Sequence, residues 1–187
     1  MDLDEVNDLS REFENLTHKG VKFAYDSKHL FFCSDKNKLA KYNVSSHQVC
    51  RRFTLPPDCK PITCFALESS DTYIFIVTAS CEIIVYDIQD KVKNDAQLIF
   101  FTSFDDSIIV KNIYLSNDDK RAIMTDTDDH FSYVSLSNLE QPEILEQQID
   151  PKISNIVGVT FSQKNSQVFI TSQEMESIIL YDLLLKM

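Results

Sequence analysis

No tryptophan and only two glycines, Gly20 and Gly158, occur among the 187 residues of this chain. So little glycine excludes the glycine-rich loops that cradle phosphates, and no Gly-x-Ser-x-Gly or His-Glu-x-x-His motif is present. No apolar run approaches the roughly 18 residues of a membrane-spanning helix. Basic residues are scarce: 18 lysines and arginines face 29 aspartates and glutamates, a net charge of −11. Phosphate neutralisation needs clustered cations, so direct binding to bare nucleic acid is disfavoured and RNA enters only indirectly. The two basic clusters, Lys36/Lys38/Lys41 and Arg51-Arg52, read as solvated turn and edge residues.

The five cysteines, Cys33, Cys50, Cys59, Cys64 and Cys81, form no Cys-x-x-Cys pair and are odd in number. They are expected as free thiols. Cys59 and Cys64, with His47, would be the candidates for a metal, but a five-residue spacing across Pro61 is foreign to zinc sites. The acidic run Asp126, Asp128, Asp129 lacks the glycine and terminal glutamate of a calcium loop. The sequence therefore assigns no metal, no cofactor and no catalytic residue. The N-terminus, Met1-Asp2-Leu3-Asp4-Glu5, is acidic and unlike a signal peptide, which places the chain in nucleus or cytoplasm.

What is present is a period. Four segments each hold three short apolar runs: Val21–Asp26, His29–Cys33 and Lys38–Val44; Ile62–Glu68, Tyr73–Val77 and Ile83–Ile88; Val110–Ser116, Arg121–Thr125 and Phe131–Leu136; Ile156–Ser162, Gln167–Thr171 and Ile178–Leu183. Tyr25, Leu67, Leu115 and Phe161, taken as the ends of the first runs, are 42, 48 and 46 residues apart. Tyr42, Tyr86, Val134 and Tyr181, in the third runs, are 44, 48 and 47 apart. Two markers drift together, at the repeat length of propeller blades. The runs are five to seven residues long and rich in β-branched and aromatic residues, which predicts strands and not helices. Asp, Asn and Ser fill the connections, as turns require. A fourth, more polar run follows in three segments: Gln48–Phe53, Gln97–Phe101 and Glu143–Glu146, as edge strands should be. The middle runs are almost continuously apolar, the pattern of a strand covered on both faces.

The predicted fold is all-β: four consecutive propeller blades at about 21–60, 61–105, 106–150 and 151–187, preceded by a helix over 1–20. Leu3, Val6, Leu9, Phe13 and Leu16 give that helix one apolar face, and Gly20 ends it. It either caps an exposed sheet edge or docks a partner. Four blades rarely close a ring, and the last segment stops after its third run. The chain is thus expected to be a fragment, a reduced protein, or a half that pairs with another chain, poorly soluble alone.

Lys41-Tyr42-Asn43-Val44 through Arg52-Phe53 resembles the end of a WD repeat, with Tyr-Asn, Tyr-Asp, Val-Ser and Tyr-Asp standing in the four segments where that family has Trp-Asp. The resemblance covers about residues 21 to 183 and departs in lacking Trp and the Gly-His dipeptide. The stretch Asp118-Asp119-Lys120-Arg121 to Asp126-Thr127-Asp128-Asp129-His130, ending at Val134-Ser135, resembles a blade of the non-catalytic WD-repeat subunit of tRNA (guanine-N7)-methyltransferase. The first two blades resemble equally the opening repeats of ribosome-biogenesis WD proteins of the U3 particle. These resemblances imply a non-catalytic scaffold that grips a protein partner, a basic methyltransferase or ribonucleoprotein subunit, through Asp118, Asp119, Lys120, Arg121, Asp126, Asp128, Asp129 and His130. The opposing class is a propeller enzyme or small-ligand module. Its channel would have to use Thr63, Asn112 and Thr160 from the first strands, which hold no ionisable set.

Overall fold

A computed structural model describes residues 20–33, 38–53, 55–80, 82–89, 97–101, 109–128, 130–137, 143–148, 153, 155–174, 176 and 178–183. The expected helix over 1–20 lies almost wholly outside them.

Fifteen strands form four antiparallel sheets in chain order. Blade 1 holds β1 (Val21–Phe23), β2 (His29–Cys33), β3 (Leu39–Asn43) and β4 (Gln48–Phe53). Blade 2 holds β5 (Ile62–Leu67), β6 (Tyr73–Thr78), β7 (Glu82–Asp87) and β8 (Gln97–Phe101). Blade 3 holds β9 (Val110–Leu115), β10 (Arg121–Asp126), β11 (Phe131–Ser135) and β12 (Glu143–Gln148). Blade 4 holds three strands among the described residues: β13 (Ile156–Phe161), β14 (Gln167–Ser172) and β15 (Ile179–Asp182). Each sheet is a simple up-and-down meander, because short polar turns join successive antiparallel runs. The third and fourth strands of blades 1, 2 and 3 each pair with a register shift, at the equivalent Lys41/Tyr42 and Tyr133/Val134 and, two residues earlier, at Ile83/Ile84. A bulge there deepens the twist of each outer edge.

The sheets stack through three apolar layers. Phe31, Leu39 and Phe53 of blade 1 meet Leu67, Ile74 and Tyr86 of blade 2. Phe75, Val77 and Val85 on its other face meet Ile113, Ala122 and Val134 of blade 3. Ile123, Phe131 and Tyr133 then meet Val159, Val168 and Ile170 of blade 4. Alternation along each strand thus feeds two different cores, which explains the near-continuous apolar runs. Phe53 and Tyr86 meet edge-on at 5.5 Å between ring centres, as do Phe131 and Tyr181 at 5.2 Å.

One strand end differs from expectation. The first strand of blade 1 stops at Phe23, and Tyr25 and Asp26 belong to the turn. The hairpin closes at Ala24, as it closes at the equivalent place in the other blades, and within that turn the Asp26 carboxylate accepts the Lys28 and His29 N–H groups at 2.8 and 3.1 Å. The hairpin bond Ala24 N–H to His29 O matches Glu68 to Tyr73, Ser116 to Arg121 and Ser162 to Gln167. The equivalent of Leu67, Leu115 and Phe161 is therefore Phe23, and the first-strand spacing becomes 44, 48 and 46, matching the third strands more closely.

Candidate interaction surface

The most regular feature of the molecule is the rim built by the turns between first and second strands. In each blade the fourth residue after the hairpin starts takes a left-handed backbone: Ser27 (φ 56), Asp71 (φ 54), Asp119 (φ 56) and Asn165 (φ 56). Its N–H closes the turn onto Ala24, Glu68, Ser116 or Ser162 O at 2.8 to 3.0 Å. Glycine is the usual tenant of such a position; Asp and Asn tolerate it best among the rest. That substitution is why so few glycines suffice.

The Asp and Asn side chains do more than tolerate the turn. Asp71 of blade 2 accepts the Tyr25 and Asp26 N–H groups of blade 1 at 2.9 and 2.8 Å. Asp119 of blade 3 accepts the Ser69 N–H of blade 2 at 3.1 Å and its hydroxyl. Asn165 of blade 4 accepts the Asn117 N–H of blade 3 at 3.0 Å, while Asn117 Nδ2 returns a bond to Ser162 O at 2.9 Å. Arg121 Nη1 also donates to Asn165 O at 3.3 Å. Every joint between blades therefore carries an Asp or Asn clasp from the later blade to the earlier turn. A second bond repeats four times: the residue leaving the third strand (Val44, Ile88, Leu136 or Leu183) donates to the turn (Lys28, Thr72, Lys120 or Ser166) at 2.7 to 2.9 Å. The result is one hydrogen-bonded rim of four side-by-side turns.

The sequence-predicted interaction residues divide between two opposite ends of β10. Asp118, Asp119, Lys120 and Arg121 sit on the rim just described. Asp126, the last residue of β10, and Asp128 and His130 in the turn after it lie at the far end, five residues or roughly 17 Å from Arg121 along the strand. Asp129 lies outside the described residues. Asp118 accepts the Ser116 hydroxyl at 2.5 Å and the Lys120 N–H at 3.2 Å. Burial opposes its ionisation, but the Ser116 and Lys120 bonds and the Arg121 charge outweigh it and hold the carboxyl below its ordinary range. Asp126 is buried and closes its own turn, accepting the Asp128 and His130 N–H groups at 2.8 and 2.9 Å, with His130 Nδ1 at 3.2 Å. Lys120, Asp128 and, in part, His130 face solvent. Sequence reasoning passed over Asp71 and Asn165. The signal that finds them is their alignment with Ser27 and Asp119, at spacings of 44, 48 and 46.

The inner strands line a channel of about 260 Å³, bounded by Lys22, Leu67, Tyr114, Asn117, Thr160 and neighbours. Among the described residues Lys22 is the single charged side chain of that lining. Burial lowers its ammonium below the usual value, and it lies 5.4 Å from the centre of the Phe65 ring. Of the three polar channel residues expected from sequence, Thr63 bonds Val77 O at 3.2 Å and Asn112 bonds Thr125 at 3.3 Å, while Thr160 is exposed. A second, open cleft of about 860 Å³ separates the turns and outer strand of blade 1 from blade 2; His29, Lys41, Arg51 and Arg52 line it with Asp26 and Asp71. Among the described residues no three His, Cys, Asp or Glu side chains converge on a metal position. Among the described residues Cys33, Cys50, Cys59 and Cys64 form no disulfide, and burial pushes the Cys33 thiol up to about 12.

No family model and no curated protein matches the chain. Solved structures do. The β-propeller domain of Cps50 (Swd1) from Myceliophteria thermophila superposes with a TM-score of 0.63 at 14% identity, over 90% of this chain and 54% of that domain. The chain thus spans about half the length of that domain. Its fold is that of the WD40-like β-propeller, present here as four consecutive blades.

Proposed function

We propose that the chain is a non-catalytic scaffold that holds a protein partner on its turn rim. The observation that carries this reading is the clasped rim itself: three Asp or Asn side chains lock four exposed turns into one array before any partner arrives. Preorganised loops lose little entropy on docking, so modest contacts suffice. The channel supports the same reading, since its described lining joins Lys22 to apolar residues, tyrosines, Asn117 and Thr160 and holds no carboxylate or imidazole to pair with the lysine. With a net charge of −11, a basic partner is steered in.

The partner this reading names is the catalytic subunit of a tRNA (guanine-N7)-methyltransferase, on the resemblance carried by Asp118–Arg121 and Asp126–His130. The chain would support that subunit by protein contact and leave the chemistry and the RNA to it. The test is coexpression of the two chains with methylation of tRNA as readout. The expected result is a stable complex whose 7-methylguanosine formation falls at least tenfold without this chain, and falls again when Lys120→Glu reverses the exposed charge on the rim. Unchanged activity without the chain sinks the named partner. Copurification of a small metabolite, with no protein retained, sinks the scaffold.

A further inference from the structure

Each sheet has a forward face, toward the next blade, and a backward face. Register defines the matching rows. The forward row centred on the second strand is Ala66–Phe75–Val85 in blade 2, Tyr114–Ile123–Tyr133 in blade 3 and Thr160–Phe169–Leu180 in blade 4. Phe75 and Ile123 are 2% and 0% exposed, whereas Phe169 is 36% and Leu180 54% exposed. The backward row is Leu67–Ile74–Tyr86 in blade 2 and Phe23–Leu30–Tyr42 in blade 1. These have the same chemistry in the same order, yet Leu67, Ile74 and Tyr86 are buried and Phe23 is 66% exposed. Blade 1 therefore presents outward a face composed like those that meet a blade inside the molecule.

The clasps tell the same story. The N–H groups of Gln163 and Lys164 occupy the places of Tyr25 and Asp26, which Asp71 holds, and no described side chain takes them. Ser27 occupies the left-handed place of Asp71, Asp119 and Asn165 and is exposed. Each end of the molecule carries one half of a joint made three times within it, and the two halves are of opposite kind.

We propose that the occupant of both faces is a second copy of this chain. The forward face of blade 4 in one copy seats on the backward face of blade 1 in the other, and the reverse contact closes a two-chain ring of eight blades. The joint continues an interface the protein already makes. A head-to-tail contact that closes after two copies leaves no open face behind. The central facing rows, Thr160–Phe169–Leu180 and Phe23–Leu30–Tyr42, are uncharged, and register adds Asp182 to the first face and Arg52 to the second, charges of opposite sign. This inference is independent of which protein the rim docks, and its failure reads out in self-association and not in partner capture.

The test is sedimentation of the purified chain over a range of concentrations, with two variants at exposed positions, Phe169→Glu and Phe23→Lys. The wild-type chain is expected at twice its 21.6 kDa mass. Each variant alone is expected as a monomer, with circular dichroism unchanged. An equimolar mixture of the two retains one undamaged joint, and so returns to a dimer that dissociates at least 100-fold more readily than wild type. Leu180→Glu and Tyr25→Lys repeat the experiment should either first variant fail to fold. A wild-type monomer at every concentration overturns the proposal, leaving the faces to another chain or to residues 1–19. Loss of the dimer in only one of the two variants overturns it too, because that is the mark of like face on like face.

Discussion

Blades 2 and 4 are built on the same pattern and end in different environments. Strand β6 is enclosed by blades 1 and 3, and from Ile74 to Thr78 every residue is buried. Strand β14 has a neighbour on one side, and its residues alternate, with Val168 and Ile170 buried and Phe169 exposed. The difference shows that a blade's apolar sequence is written for two partners, whether or not both are present. Hydrophobic runs in a repeat protein report the architecture the repeat expects, not the burial a given copy achieves.

The largest expected effect separates Phe75 from Phe169, which hold the same place in their sheets. Phe75→Ala should destabilise the fold by about 3–5 kcal/mol, because the cavity opens between two sheets already in contact. Phe169→Ala should cost below about 1 kcal/mol at concentrations where one copy is measured, since its ring leaves little buried volume behind. Urea denaturation of both variants checks this. Equal losses would mean that the forward face of blade 4 is covered within the single chain, and the comparison between the two blades would break.

The strands and their order were legible in the sequence because alternation, turn chemistry and period all pointed one way. Gln97–Phe101 was found as an outer strand with its bounds intact, since its apolar run is flanked by polar residues. The first strand of blade 1 was read too long, because Tyr25 looks like the apolar end of a strand although the hairpin closes at Ala24, as it does at Glu68, Ser116 and Ser162. The rim was harder. Asp118 to Arg121 stood out by density of charge, and read as a docking motif. The structure gives Asp119 and Arg121 to the joints with blades 2 and 4, a role that needs the positions of residues about 50 places away. Asp71 and Asn165 carry the same role in turns that hold no charge cluster, so nothing drew attention to them.

The joint clasps give a smaller effect that sharpens the contrast between internal and terminal blades. Asp119→Ala removes the acceptor for Ser69 and leaves an alanine at φ 56. The lost bond is worth about 1 kcal/mol and the left-handed alanine about another. Ser27→Ala should stay within about 0.5 kcal/mol of wild type in a single copy, because serine already carries the left-handed strain that alanine would. Asp119→Asn keeps an acceptor and should lie within about 0.5 kcal/mol of wild type. The order expected from thermal melts is Asp119→Ala lowest, with Ser27→Ala and Asp119→Asn both near wild type. A Ser27→Ala loss as large as that of Asp119→Ala, seen only at concentrations where two copies associate, would place Ser27 in a joint as well.

The smallest effect is a pH dependence confined to particular turns. Asp26 in blade 1 and Asp118 in blade 3 hold equivalent places, and both titrate below the ordinary carboxylate range. Burial opposes this for Asp26, and the His29 side chain with the Lys28 and His29 N–H groups outweighs it. A carboxyl whose pKa is lower folded than unfolded binds fewer protons in the native state. Its contribution is complete above the unfolded value near 3.9 and is lost as pH falls through the folded one. Both carboxylates are largely solvated, so screening keeps the contribution small. Blade 4 has Lys164 in the same place and an amide, Asn165, as its clasp, so no carboxylate stands in either position. Stability should therefore be level in these groups from about pH 6 down to about pH 4 and fall below that, and Asp118→Asn should flatten part of the fall. Urea melts of wild type and Asp118→Asn at about pH 6 and about pH 3 test the sign. An acid slope that the variant leaves untouched would mean that the turn of blade 3 holds its shape without the charge, and is as indifferent to protons as the turn of blade 4.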